Sequence, residues 1–137
     1  ESHVDAHDGV AEIARQIAGW LVDPVNVRLY RVHVAETVRF AAMADVFQLV
    51  LHNLLRDRVR VYLEEWANAG QLDIPDAALA ADQLISMAGA SIHDSALLSK
   101  RSMTSEEEIN RIADSAARVF LRAYAPVTAR GRLSAEG

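Results

Sequence analysis

Apolar residues recur at helical spacing along nearly the whole chain, and helices are the elements this pattern predicts. Val10, Ile13, Ala14, Ile17, Ala18 and Leu21 make one stripe. They predict a first helix over 9–22, with Asp8 as its N-cap. Asp23-Pro24 then punctuates the chain, Asp suiting a cap and Pro the first helical position. The second element, Pro24–Phe40, has a rival reading. Val25, Val27 and Leu29 alternate with polar residues as they would on a strand. That phase breaks at Leu29-Tyr30, and no other stretch offers a strand to pair with. A helix is therefore predicted here too, and apolar residues on all its sides imply burial.

The longest stripe runs from Met43 through Val46, Phe47, Val50, Leu51, Leu54, Leu55, Val59, Tyr62 and Leu63 to Trp66. It predicts a helix over Ala42–Ala69, with Gly70 as the stop. Pro75 opens a fourth helix reaching Lys100, whose stripe is Ala81, Leu84, Ile85, Ala88, Ile92, Ser95 and Ala96. After a short link, Thr104 caps a fifth helix ending at Tyr124, with Glu107 reaching back to close a capping box. Its stripe is Ile109, Ile112, Ala113, Ala116, Phe120, Ala123 and Tyr124, and Pro126 ends it. The expected fold is all-α, an antiparallel bundle of about five main helices. Residues 1–126 read as one domain and 127–137 as a polar tail.

The last two helices are rich in Ala, Ser and Gly, and small residues let another helix approach closely. This hairpin is the expected self-association surface, with Ala81, Leu84, Ile85, Ala88, Ile92, Ser95, Ala116, Val119, Phe120 and Ala123 at the contact. The earlier helices would then form a small-molecule pocket. Trp20, His33, Thr37, Phe40, Phe47, Leu51, Trp66 and Met87 are its candidate lining, because polar groups on otherwise apolar helices orient ligands in such cavities.

Charge and composition narrow the chemistry. The 137 residues carry 14 Lys and Arg against 19 Asp and Glu, a net charge of −5, so the chain by itself is a poor nucleic-acid binder. There is no Cys, which excludes disulfides and thiolate metal sites. No window approaches the ~18 uncharged apolar residues of a membrane span. His3 and His7 flank Asp5, and His33 and Glu36 share a helical face, but neither set reproduces a zinc-protease or di-iron spacing. No phosphate loop, nucleophile elbow or dinucleotide fingerprint is present, so no enzymatic activity and no cofactor are expected. A helical-bundle metalloprotein or enzyme using His33 and Glu36, and a protein-interaction module, stand as alternatives.

Three stretches together resemble the C-terminal regulatory domain of TetR-family transcriptional repressors. They are RLYRVHVAETVRFAAMADVF (28–47), WANAGQLDIPDAALAADQLISMAGA (66–90) and EEEINRIADSAARVFLRAYAP (107–126). The resemblance covers about residues 10–126. Ala41 stands where related domains often carry Pro, and nothing in the chain matches a DNA-binding helix-turn-helix. The resemblance implies a bacterial, cytoplasmic homodimer paired through its last two helices into a four-helix bundle. It also implies an internal pocket for a small, largely apolar effector, and DNA contact only through a domain outside this chain.

Overall fold

A computed structural model describes residues 4–37, 39–98 and 105–126. Among them are six α-helices and no strand: α1 (Ala6–Val22), α2 (Pro24–Thr37), α3 (Ala41–Phe47), α4 (Leu54–Asn68), α5 (Ala77–Leu98) and α6 (Glu106–Ala123). A π-helical segment, Gln48–Asn53, runs between α3 and α4. The predicted third helix is therefore α3, the π segment and α4 in succession.

Helix α1 begins earlier than the apolar stripe alone indicates. Its N-cap is Asp5, whose side chain accepts from the Asp8 N–H at 2.9 Å. Asp8 therefore sits in the first turn, where a carboxylate favours the positive end of the helix dipole. The Ala6 N–H donates to Oε1 of Gln71, tying this end to the loop after α4. At the far end, the Asp23 carboxylate accepts from the N–H of Val25 at 3.0 Å and caps α2, with Pro24 at the first helical position.

Helix α4 stops at Gly70, whose φ of 78° suits a residue without Cβ. The Gly70 N–H donates to the Ala67 carbonyl and the Gln71 N–H to the Trp66 carbonyl, the paired bonds of a Schellman turn. Helix α5 begins at Ala77, after Pro75, and Asp76 caps it, its side chain accepting from the Leu79 N–H at 3.1 Å. Ser105 caps α6, with its hydroxyl accepting from the Glu108 N–H. The predicted cap, Thr104, lies outside the described residues. The same S-x-x-E chemistry is set one residue further on.

The core is built around α1. Val10, Ala14 and Ala18 of that helix are fully enclosed with Leu63 of α4, Ala81, Leu84 and Ala88 of α5, and Ala113 and Phe120 of α6. Small residues on α1, α5 and α6 let these helices come close enough to bury large ones between them. The end of α6 returns to the start of α5: the Asp73 N–H donates to the Tyr124 carbonyl, and the Tyr124 hydroxyl donates to Oε1 of Gln83. Helices α5 and α6 are thus antiparallel. An Arg15–Asp114 ion pair at 2.9 Å joins α1 to α6 at the surface.

Helix α2 departs from expectation. Among its described side chains only Val27 is buried, while Val25, Leu29, Val32 and Val34 are exposed. The row that Val27 shares with the half-buried Asn26, Tyr30 and His33 is the one the rest of the chain covers.

Candidate functional site

Two adjoining features lie along α5. The first is a groove between the outer faces of α5 and α6, of about 680 Å³ and open to solvent. Gln83, Ser86 and Met87 line it from α5; Val119, Ala123 and Tyr124 line it from α6. Its lining is mainly apolar, and the Phe120 and Tyr124 rings pack against each other at 4.7 Å between centroids. The Tyr124–Gln83 hydrogen bond crosses it.

The second feature is a charged cluster where α5 meets α4 and the π segment. Asp82, also at the groove, lies 3.8 Å from Arg56 through one carboxylate oxygen and 3.5 Å from the His52 ring through the other. Arg56 also approaches Asp57 at 4.0 Å. Nε of Arg56 and Oδ1 of Asp82 are buried and make no hydrogen bond. One turn on, Arg60 donates to Glu64 at 2.7 Å. That bond and the charge of Glu64, with Asp57 adding to them, raise the guanidinium pKa above its ordinary value.

The residues expected at a pocket are dispersed. Trp20 is exposed at the end of α1, and Phe40 is exposed beyond α2 with Arg39 over its ring at 5.8 Å. His33 is half-buried on α2 beside Tyr30, at 6.1 Å between ring centroids. Trp66 belongs to the core at 8% exposure, its indole N–H donating to the Val4 carbonyl at 3.1 Å. Met87 is at the groove. The side chains of Thr37, Phe47 and Leu51 lie outside the described residues. Among the described residues no group of three His, Cys, Asp or Glu side chains is gathered, so His33 and Glu36 acquire no third ligand there.

The residues expected at a pairing surface divide by burial. Ala81, Leu84, Ile85, Ala88, Ala116 and Phe120 are buried within this one chain, Ala88 at 0%. A residue already enclosed by its own subunit has little surface left to give a second copy. The face left for one passes through Val119 and Ala123, which are exposed, and through Leu79, Gln83 and Ser86. The side chains of Ile92 and Ser95 lie outside the described residues. Gln83, Ser86 and Asp82 escaped the sequence reading because polar residues on a helix ordinarily signal a solvated face.

Among the described residues only helices occur, with the antiparallel pair α5 and α6 packed on α1, and this defines the class as an all-α domain. More narrowly, the family model for the C-terminal domain of AefR-like transcriptional repressors matches residues 8–126, and the chain belongs to that family of TetR-type regulators. The same fold is found in a protein from Mesorhizobium loti MAFF303099 described as a TetR-family transcriptional regulator, with a TM-score of 0.85 and 21% identity. The match covers 90% of this chain and 61% of that one, so this chain spans less than two thirds of its neighbour's length. At that identity the likeness concerns the fold alone. No curated protein sequence matches the chain significantly. Among the described residues no helix is long and apolar enough to cross a membrane.

Proposed function

We propose that this chain is the effector-sensing and dimerising part of a transcriptional regulator, acting on DNA through a separate helix-turn-helix domain. The regulatory role follows from membership of the family. The observation that carries the finer reading is the outer face of the α5–α6 hairpin. It is mainly apolar and open in the single chain, with Met87, Val119 and Ala123 in its lining and Val119 exposed. A second copy related by a two-fold axis would set the same hairpin against it and close a four-helix bundle. Effector binding would favour one relative placement of the two copies, and any attached DNA-binding heads would follow.

The sensing half is tested by thermal unfolding of the chain against a panel of small, largely apolar compounds. A ligand that binds only the folded state stabilises it, by about 2.7 kcal/mol at a hundredfold excess over Kd. The expected result is a concentration-dependent rise in Tm for a chemically coherent subset. A panel with no such subset would contradict a sensor.

A further inference from the structure

Gln83 is the middle member of the exposed row Leu79, Gln83 and Ser86 on α5, at i, i+4 and i+7. Its Oε1 accepts from the Tyr124 hydroxyl of α6, so the carboxamide is held at the α5–α6 groove. A carboxamide has two N–H donors besides that oxygen, and the bond to Tyr124 leaves both for another acceptor. In the single chain Gln83 is exposed, and water meets them. A second copy on this face takes that water away. Donors covered without a partner would then oppose pairing.

The rest of the face suits a copy of itself. Of the residues that line the groove only Asp82 is charged, and Arg56 of α4 lies 3.8 Å from it. Two copies therefore meet there without a row of like charges opposed. Met87, Val119 and Ala123 offer apolar cover. Such cover distinguishes poorly between one position and the next, about 5.4 Å or one helical turn along. A polar group that has to find a partner makes that choice, which is the best-attested use of polar groups in apolar helix contacts.

We propose that Gln83, positioned by Tyr124, sets the register in which two copies of this chain pair. This rests on the reading of the α5–α6 face as the pairing surface. Contacts across a two-fold axis are reciprocal, so the Nε2 donors of Gln83 in each copy meet an acceptor of the other, and Gln83 and Ser86 are the acceptors this row offers. The register in turn fixes the spacing of any attached DNA-binding heads.

The chain has no Cys, so Arg111→Cys on α6, where the side chain is well exposed, carries a single spin label. Dipolar spectroscopy then reads the distance between the labels of two copies. The labelled chain is expected to give one distance. Gln83→Met together with Tyr124→Phe removes both members of the hydrogen bond. That chain should still pair by light scattering, and should add a second distance about 5 Å from the first, one turn away. Gln83→Met alone should add the same second distance, which covers a double variant that fails to fold. Gln83→Glu keeps an acceptor for Tyr124 but sets carboxylates against each other, and should raise the dissociation constant of the pair at least ~10-fold at neutral pH. A single unchanged distance in both Gln83→Met chains overturns the proposal, and so does a Gln83→Glu chain that pairs as tightly as the unmodified one. Either result leaves the pairing surface standing if Val119→Arg still separates the copies. A labelled chain that shows no second copy removes the pairing surface, and the register with it.

Discussion

At the residue scale, Gly9 and Trp66 make a close contact in the core. A Cβ on Gly9 would come within 2.1 Å of the Trp66 ring. That ring is held by burial and by its bond to the Val4 carbonyl. Gly9→Ala therefore overpacks the core, at about 1–3 kcal/mol, set against about 1 kcal/mol gained in helix propensity. A net loss of stability is expected in urea unfolding, and a stabilised variant would show that the ring yields. Gly89 makes a useful contrast, because its Cβ would meet the end of the Leu21 side chain at 2.2 Å. Leu21 is only partly buried and can change rotamer, so Gly89→Ala should be the milder of the two. At the other end of the chain, Ser105→Ala removes the α6 cap and should cost about 1 kcal/mol, read as a lower urea midpoint with unchanged slope. This close fit is also what places Trp66, a candidate for the ligand, in the core. Large aromatic residues on a core-facing stripe serve either purpose, and only the position of Gly9 opposite decides between them.

At the scale of elements, the periodicity was legible wherever one face met the core. Helix α1 follows its stripe, α5 does so from Ala81 to Ala88 and α6 as far as Phe120, and the Gly70 stop and the Asp23-Pro24 junction lie where turn chemistry puts them. The π segment was not legible. Widening one turn shifts the phase of the helix, but the consecutive apolar residues Leu49, Val50 and Leu51 fit either phase and hide the shift. The small residues of α5 misled for a related reason. Close approach of helices looks the same in sequence whether the neighbour is another copy or the chain's own α1. Here Ala81 and Ala88 join the core with α1, and Gly89 faces its Leu21. An arginine at Ala88 would therefore unfold the chain and say nothing about pairing. Helix α2 shows the opposite error: apolar residues on all sides implied burial, yet only Val27 of those described reaches the buried class.

At the scale of the whole molecule, one arrangement accounts for these placements. Helix α1 is the hub, α4, α5 and α6 enclose it, and the outer face of α5–α6 remains uncovered beside the charged cluster. The account's central claim is that a second copy covers that outer face. Light scattering of the chain at concentrations on the order of tens of micromolar, beside the Val119→Arg variant, tests it most directly. Val119 is 54% exposed, so arginine there leaves the single chain's core intact. The unmodified chain should scatter as a pair of 15.0 kDa copies, and Val119→Arg as a single copy with the same helical circular-dichroism signal and a lower Tm, because pairing no longer stabilises the folded state. A monomeric unmodified chain, or a Val119→Arg variant that still pairs, would contradict the account.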